Sequence, residues 1–483
     1  MPTILALDEG TTGATALVLG HDGRILGRGY REIAQFFPRP GEVEHDPMQL
    51  LAASVEASRE ALAGAGVPVD AMGITNQRET VVLWDRATLA PVGPALVWQD
   101  RRTAARCAEL RAQGLEEMLR ARTGLLLDPY FSATKLEWLL RDPAVRAKAE
   151  RGELCAGTVD SWLIACFTGG LHVTDRTNAS RTLLADLRTG AWDDELLRLF
   201  GVPRAILPEV VASAGVLGTT LPQWFGRPIP LSGVAGDQQA ALFGQGCVRS
   251  GLAKITYGTG AFLLRYTGDD LPPVPAAGVL ATIAVNVNGG IGWALEGSVF
   301  IAGAAVQWLR DGLGIIADVA ETAAIAATVD DSGGVVLVPA FTGLGAPYWN
   351  AEARGTITGL TRGTSRAHLV RATLEAIAQG TCDLAEAMGG VTELRVDGGA
   401  AQNDWLMQTL ADLLNVPVER PPALELTAYG AGRLAAIGIG GELPVAAALG
   451  GVRLFRPGAQ EVWRQARRAE WQRAIRAALA WAE

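Results

Sequence analysis

The chain has 483 residues, of which 49% are hydrophobic and 19% are charged, and its formal net charge is −9. At about 150 residues per domain, this length predicts about three domains or two large ones. The apolar content excludes a disordered or fibrous protein. The negative charge argues against a polyanionic partner such as nucleic acid or an anionic membrane surface.

The cysteines and the amino terminus favour a cytoplasmic protein. Five cysteines are scattered along the chain without a Cys-x-x-Cys pair, a pattern typical of reduced thiols rather than of disulfides or a zinc site. The amino-terminal segment MPTILALDEG has neither the basic nor the long apolar region of a secretory signal. The longest uncharged stretch, residues 271–295, contains prolines and paired glycines, which suit buried strands and turns. We therefore expect a soluble cytoplasmic protein without membrane insertion.

The first predicted element is a hairpin, in which the apolar runs TILALD and ATALVLG flank the turn EGTTG. Asp8 ends the first strand and faces a metal in this interpretation. Gly10 lets the backbone approach a ligand, and Thr11 and Thr12 offer amides and hydroxyls to phosphate oxygens. The pattern alone is weak, and a plain hairpin without a ligand is the alternative.

Helical stretches over residues 47–63 and 102–120 alternate with short strands such as AMGIT. Arg78 and Glu79 follow this strand in GITNQRET, where their charges are costly to bury without a partner. An arginine beside a carboxylate can bind several hydroxyls of a polyol. The alternative is a surface ion pair.

Asp237 lies in VAGDQQAALFGQ, after a strand and a glycine and before a helical run. One interpretation is an N-cap aspartate. The other is a catalytic carboxylate, because phosphoryl transfer to an alcohol needs a group that accepts the hydroxyl proton.

The hairpin pattern returns in the middle of the chain, where AKITY and AFLLRY flank the turn Gly258, Thr259, Gly260. Two similar hairpins predict a duplicated fold, with two α/β lobes that each contribute one phosphate loop to a shared nucleotide cleft. We place the boundary near Gln245, which gives lobes of residues 1–245 and 246–483.

A third glycine turn, residues 397–400, follows the predicted strand LRV and precedes the helical run WLMQTLADLLN. Ligands of open α/β sheets bind at the carboxyl ends of strands, so this turn is a candidate for the nucleoside end. Residues 462–483 predict an Arg-rich amphipathic helix that forms a solvated cap.

Eleven segments in this order carry a family resemblance: DEGTT, GITNQRET, VWQDRRTA, DPYFSATKLEWL, GTVDSWL, VTDRTNASRT, AGDQQAALFGQ, TYGTG, FTGLGAPYW, ARGTITGLTRG and LRVDGGA. They resemble the FGGY carbohydrate kinases, and most closely the members that phosphorylate glycerol. The resemblance implies an α/β fold of two actin-like, ribonuclease H-like lobes with a ligand cleft between them. It also implies transfer of the γ-phosphoryl group of MgATP to glycerol, which gives sn-glycerol 3-phosphate and ADP in glycerol catabolism.

The resemblance also implies roles for individual residues, with a polyol- and phosphate-binding amino-terminal lobe and a nucleotide-binding carboxyl-terminal lobe. Asp237 is the expected catalytic base, and Asp8 and Asp237 are the expected magnesium residues. The expected glycerol-binding residues are Arg78, Glu79, Trp98, Tyr130, Asp237, Gln238 and Phe262. The expected ATP-binding residues are Thr11, Thr12, Gly258, Thr259, Gly303, Gln307, Gly399, Ala400 and Asn403. A homo-oligomer, either a dimer or a tetramer, is also implied.

The first loop departs from the family pattern. The glycerol-phosphorylating members usually read DQGTTSSR, whereas this chain has Glu9, Gly13 and Thr15 at the glutamine, one serine and the arginine. An arginine that meets the transferring phosphoryl group is worth about 10³ or more in rate. Another cation, magnesium alone or an altered donor must therefore cover this charge. Two alternatives stay open: a kinase of another polyol or ketose, and a catalytically weak polyol and nucleotide sensor.

Overall fold

The computed structural model describes residues 2–276, 278–422 and 425–482. In these ranges the strands are β1 Ile4–Glu9, β2 Gly13–Leu19, β3 Ile25–Glu32, β4 Glu44–His45, β5 Ala71–Asn76, β6 Val81–Asp85, β7 Ala95–Leu96, β8 Leu154–Thr158, β9 Val173–Asp175, β10 Glu209–Val211, β11 Ala214–Thr219, β12 Pro230–Gly236, β13 Leu252–Tyr257, β14 Ala261–Gly268, β15 Leu280–Ala284, β16 Gly292–Val299, β17 Val336–Val338, β18 Thr356–Thr358, β19 Glu393–Gly398, β20 Val418–Arg420 and β21 Arg453–Phe455.

The helices are α1 Pro47–Ala65, α2 Ala104–Ala112, α3 Glu116–Thr123, α4 Ser132–Leu139, α5 Pro143–Glu150, α6 Val159–Thr168, α7 Arg176–Ala179, α8 Asp194–Leu199, α9 Pro222–Phe225, α10 Asp237–Gly244, α11 Gly303–Asp311, α12 Thr322–Ala326, α13 Arg366–Ala387, α14 Asp404–Leu414, α15 Leu426–Gly438 and α16 Glu461–Ala480. Short 3₁₀ turns lie between some of them.

Two large sheets repeat one topology. The first has the order β11-β12-β5-β1-β2-β3 and the second has the order β15-β16-β14-β13-β19-β20-β21. In each, a three-stranded antiparallel meander (β1-β2-β3 or β13-β14-β16) continues through its first strand into two parallel strands (β5 and β12, or β19 and β20). This shared order confirms the predicted pair of α/β lobes.

The carboxyl ends of the parallel strands meet at one edge of each sheet. In the first sheet Asp8 of β1 is level with Thr75 of β5, and Asn76 is level with Gly236 of β12. In the second sheet Tyr257 of β13 is level with Gly398 of β19. The segments that follow these strands therefore lie side by side, which is where open α/β sheets bind ligands.

A smaller sheet of order β4-β7-β6-β8 extends the amino-terminal lobe, and helices α2 to α5 pack near it around an apolar cluster that includes Leu110, Leu119, Leu136 and Phe200. Two-stranded sheets β9-β10 and β17-β18 complete the strands of the described residues. The smaller sheet positions the loops that carry Trp98 and Tyr130.

Helix α15 comes from the carboxyl-terminal half of the sequence but packs on the first sheet. Its Leu426 and Tyr429 share an apolar cluster with Ile4 and Leu17 of that sheet. It also crosses α10 closely, because a Cβ at Gly430 would lie 1.9 Å from the carbonyl oxygen of Ala240. The chain thus links the two lobes through a helix crossing, and the division near Gln245 stays a prediction.

Most predicted elements form. The stretch predicted as one helix over residues 102–120 is instead two helices, α2 and α3, because Gly114 adopts a left-handed φ of 76° between them. The tail forms α16, but its Trp471 and Ile475 are buried, so the helix is more than a solvated cap. Among the described residues, every helix is too short or too polar to cross a membrane.

The α10–α15 crossing generates a stability prediction. We expect Gly430→Ala to lower the free energy of unfolding by about 1–3 kcal/mol, because the added methyl group overlaps a backbone oxygen that cannot move freely. The matched control is Gly64→Ala in α1, where a Cβ would lie 3.7 Å from its nearest neighbour, the Cα of Gly27. The control should leave stability unchanged or raise it by up to about 1 kcal/mol. Thermal midpoints at a fixed scan rate compare the two, and equal midpoints would contradict the prediction.

Candidate active site

The first glycine turn follows β1 and holds Asp8 at the cleft. The amide of Gly10 donates to the carbonyl of Gly13 at 3.0 Å, which closes the turn. The indole Nε1 of Trp98 donates to Thr11 Oγ1 at 2.9 Å, so a residue predicted to bind glycerol contacts a residue predicted to bind phosphate. Burial, and then the negative charge of Asp237, raise the pKa of Asp8 well above its usual value. A cation between these two carboxylates would relieve that repulsion.

Glu9, which replaces the usual glutamine of the family, is completely buried. Its Oε2 accepts from Gln77 Nε2 at 3.3 Å, whereas its Oε1 has no hydrogen-bond partner. Burial raises the pKa of Glu9 well above its usual value, which favours the neutral acid. A neutral carboxylic acid resembles the glutamine amide in size and adds no charge to the phosphate turn.

The second glycine turn joins β13 to β14 and contacts the start of α11. The amide of Gly258 donates to the carbonyl of Gly260 at 2.8 Å, and the amide of Gly303 donates to the carbonyl of Gly258 at 3.0 Å. A Cβ at Gly303 would lie 2.5 Å from that carbonyl oxygen, so only glycine permits this approach. Gln307 lies on α11 with an exposed side chain. The structure therefore brings Thr259, Gly303 and Gln307 to one side of the cleft.

The third turn follows β19, next to the second turn in the same sheet. Gly398 has a φ of 87°, and a Cβ there would lie 2.2 Å from the carbonyl oxygen of Tyr257. Gly399 and Ala400 follow it. Asn403 caps α14 by accepting from the amide of Leu406 at 3.0 Å. The predicted nucleoside residues Gly399, Ala400 and Asn403 thus lie together beside the second turn.

Arg78 lies among the residues that the sequence predicts to bind glycerol, and only 3% of its side chain is exposed. Its Nε lies 2.9 Å from Asp237 Oδ1, and its Nη1 and Nη2 donate to the carboxylate of Glu296 at 2.6 and 3.1 Å. Nη1 also donates to Gln239 Oε1 at 3.2 Å. This burial rules out the alternative of a surface ion pair.

Glu79 is equally buried, with 1% of its side chain exposed. Its carboxylate accepts from Nε of Arg181 at 2.7 Å, and its carbonyl accepts from Ser132 Oγ at 3.0 Å. Its φ is +65°, a left-handed conformation that a glutamate rarely adopts and that surrounding contacts must hold. Such strain at a polar cleft is typical of a ligand-binding residue.

Aromatic side chains lie beside these charges. The rings of Trp98 and Tyr130 meet edge to face with their centroids 5.3 Å apart. Burial, and then the charge of Glu79, raise the pKa of Tyr130, so its hydroxyl stays protonated. Phe262 is half-buried on β14 of the other lobe, opposite Thr256 of β13.

Asp237 is the first residue of α10, and its side chain is 29% exposed. The N-cap position belongs to Gly236, so the interpretation of Asp237 as an N-cap is wrong. Its Oδ1 accepts from the amide of Gln238 at 2.6 Å. Gln238 Oε1 in turn accepts from the ammonium group of Lys254. Asp237 is thus fixed by its neighbours and still open to the cleft.

Three buried charges at the site were not among the predicted residues: Arg181, Lys254 and Glu296. Lys254 and Glu296 interrupt the apolar strand segments LAKITY and GWALEGSVF, and that interruption is a signal which the sequence contained. Lys254 is also one of only three lysines, at 135, 148 and 254, in an arginine-rich chain. Burial lowers the pKa of Lys254, although Asp397 and Asp237 oppose that shift.

The acidic residues fit a magnesium ion. Asp8 lies near the carboxyl end of β1, and Asp237 directly follows β12, which is separated from β1 by β5 in the same sheet. The negative charge of Asp237 is part of what raises the pKa of Asp8. Carboxylate oxygens suit Mg²⁺, which usually takes one or two carboxylates, water and substrate phosphates rather than a cage of protein ligands. In the described ranges no group of three or more His, Cys, Asp or Glu side chains forms such a cage.

Comparisons with known proteins agree with this geometry. The chain is 54% identical to a glycerol kinase of Aromatoleum aromaticum over an alignment of 494 positions, gaps included, which covers 100% of this chain and 99% of that protein. It is 53% identical over the same coverage to a glycerol kinase of Alkalilimnicola ehrlichii. The crystal structure of Plasmodium falciparum glycerol kinase with ADP superposes with a TM-score of 0.94 at 33% identity, covering 99% of this chain and 98% of that one.

Two family domains account for most of the sequence. Residues 3–244 match the N-terminal domain of the FGGY family of carbohydrate kinases, and residues 253–439 match the C-terminal domain of the same family. These two segments carry the three glycine turns and the buried charges of Arg78, Glu79 and Glu296. The chain therefore belongs to the FGGY family of carbohydrate kinases.

Proposed function

We propose that this chain is an ATP-dependent glycerol kinase, which transfers the γ-phosphoryl group of ATP to glycerol and gives sn-glycerol 3-phosphate and ADP. The observation that carries the proposal is the placement of Asp237, a partly exposed carboxylate 2.9 Å from the buried guanidinium of Arg78. Relatives named glycerol kinase at 53–54% identity over the whole chain support glycerol over another polyol or a ketose as the acceptor.

The acceptor side binds a small polyol through charged and aromatic groups. Arg78 and Glu79 present a donor and an acceptor to adjacent hydroxyls, and Tyr130, Asp237 and Gln238 complete the polar set. Trp98 and Phe262 enclose the carbon backbone from the two lobes. Asp237 accepts the proton of the attacking hydroxyl, and Arg78 and the amide of Gln238 hold its carboxylate in place.

The donor side binds ATP between the glycine turns. Thr11, Thr12, Gly258 and Thr259 contact phosphate oxygens through backbone amides and hydroxyls. The nucleoside end contacts Gly303, Gln307, Gly399, Ala400 and Asn403. Asp8 and Asp237 would hold a magnesium ion, which would neutralise charge on the phosphates. Closure of the lobes keeps water from the γ-phosphate, so that transfer to the alcohol exceeds hydrolysis.

We propose that Lys254 supplies a positive charge to the site in place of the loop arginine that family members usually carry. Thr15 occupies that position, buried on β2 opposite Asp8 of β1. The ammonium group of Lys254 binds Gln238, the neighbour of the base, and donates to Thr256 Oγ1 at 3.0 Å. This charge favours the kinase over the sensor alternative, because phosphoryl transfer needs a cation near the transferring group.

We further propose that the enzyme is a cytoplasmic homo-oligomer, either a dimer or a tetramer. Light scattering coupled to size exclusion measures the assembly directly.

The first test concerns the base. A coupled ADP-release assay with MgATP should show turnover with glycerol that exceeds turnover with dihydroxyacetone, erythritol and xylulose. Asp237→Asn should lower kcat by at least about 10²-fold, because the amide cannot accept the proton, while calorimetry still detects glycerol binding. If only another acceptor is turned over, that acceptor and not glycerol is the substrate. If glycerol binds but no acceptor is turned over, the result favours a polyol and nucleotide sensor.

The second test concerns the metal. Excess EDTA should abolish turnover, and Asp8→Asn should raise the Mg²⁺ concentration for half-maximal activity by about 10-fold or more. The matched control is Asp22→Asn, which changes an exposed acid in the tight turn between β2 and β3. Equal Mg²⁺ requirements of the two variants would show that Asp8 does not act on the metal.

The third test concerns the missing arginine. Lys254→Met should lower kcat by about 10-fold to 100-fold, since the site loses its nearby cation, and Lys254→Arg should retain more activity than Lys254→Met. Adding Thr15→Arg to Lys254→Met should recover part of the loss. An unchanged kcat in Lys254→Met would show that magnesium alone, and not Lys254, compensates for the missing loop arginine.

A further inference from the structure

Glu296 belongs to the carboxyl-terminal lobe but binds two arginines of the amino-terminal lobe. It lies on β16, and 4% of its side chain is exposed. Its Oε2 accepts from Arg78 Nη1 at 2.6 Å, and its Oε1 accepts from Arg78 Nη2 at 3.1 Å and from Arg181 Nη2 at 3.0 Å. One carboxylate thus joins both guanidinium groups across the cleft.

The charges alternate along a buried chain that ends at the acceptor side. Asp237 is paired with Arg78, Arg78 with Glu296, Glu296 with Arg181, and Arg181 with Glu79. Both arginine side chains are at most 3% exposed. Each buried positive charge therefore needs these carboxylates as counter-charges. Burial alone would raise the pKa of Glu296, but Arg181 and Arg78 lower it to about 2, so this residue stays ionised.

Asp237 and Glu79, the first and last of these carboxylates, bind the acceptor in the function proposed above, and Arg78 Nε also lies 3.9 Å from Glu79 Oε1. Arg78 reaches Asp237 only through Nε, while its two Nη atoms are directed at Glu296. Arg181 binds Glu79, whose left-handed backbone needs external support. Without Glu296, Arg78 and Arg181 would lose their shared counter-charge, and both acceptor-binding side chains would lose their fixed positions.

We propose that Glu296 is a positioning residue that couples contact between the lobes to assembly of the acceptor site. It does not touch the acceptor. It fixes Arg78 directly and Glu79 through Arg181 and Arg78. The acceptor residues therefore reach their binding geometry when β16 of the carboxyl-terminal lobe lies against them. This inference rests on the proposed function. It adds that Glu296, a residue of the nucleotide-binding lobe, contributes to the affinity for the acceptor.

The experiment compares Glu296→Gln and Glu296→Asp with the wild type. Glu296→Gln keeps the shape but loses the charge, and we expect the KM for glycerol to rise by about 10-fold to 100-fold, with the KM for ATP within about 2-fold. Glu296→Asp keeps the charge and should recover part of the glycerol affinity. Calorimetric glycerol affinities without ATP should change in the same order.

The matched control is Asp383→Asn. Asp383 is also a buried carboxylate of the carboxyl-terminal lobe and is paired with an arginine, Arg468, at 2.7 Å, but it lies on α13 away from the acceptor residues. The Asp383→Asn substitution should lower the thermal midpoint of unfolding without changing the KM for glycerol. If Glu296→Gln shows the same result, Glu296 is only a structural ion pair and the proposal is overturned. If Glu296→Gln does not fold, Glu296→Asp must by itself show a raised KM for glycerol with a nearly unchanged KM for ATP.

The wild type separates this proposal from the proposed function. Turnover of wild-type enzyme with the acceptor panel tests the function, whereas the glycerol affinities of the variants test Glu296 even if turnover is absent. If the panel selects another acceptor, the same comparison is made with that acceptor. Equal affinities of wild type and Glu296→Gln overturn the inference in either case.

Discussion

The buried guanidinium of Arg78 is the constraint on which the site depends. A cation at this depth is stable only when carboxylates surround it, and its partners come from distant parts of the chain. Asp237 begins α10, and Glu296 lies on β16 of the other lobe. The chain must therefore bring β16 of the second sheet against the segments that follow β5 and β12 of the first sheet to satisfy one side chain. In the proposed function, the same arrangement places the base, the phosphate turns and the acceptor residues around one cleft.

The scaffold makes this possible through close backbone contacts. Gly303 and Gly398 let α11 and the third turn approach the second turn, and Gly430 lets α15 cross α10. A side chain at any of these positions would separate elements that carry site residues. The glycines thus set the spacing between the helices and turns around the site.

Local pattern was sufficient for part of the structure. Both hairpins, the strand before Arg78 and the helix after the third turn were predictable, because alternation, helical period and glycine turns act over a few residues. The split at Gly114 was missed because one glycine in a helical pattern does not by itself end a helix. The partners of Arg78 were not predictable, since Glu296 is 218 residues away in the chain. A charge inside an apolar strand indicates that a partner exists, but its identity depends on tertiary packing.

The family resemblance predicted which residues bind glycerol and ATP. The structure adds the contacts that hold those side chains in position. Glu9 and Thr15 depart from the usual loop. Burial raises the pKa of Glu9 and so favours its neutral form, and we propose that the ammonium group of Lys254, which binds Gln238, compensates for the missing arginine. The central claim is that Asp237 accepts the proton of a polyol hydroxyl directed at the γ-phosphate. A crystal structure with glycerol and a non-hydrolysable ATP analogue tests it most directly. The account predicts one terminal hydroxyl within about 2.6–3.2 Å of Asp237 and about 3–3.5 Å from the γ-phosphorus. A glycerol molecule bound away from Asp237, or with no hydroxyl directed at that phosphorus, would contradict it.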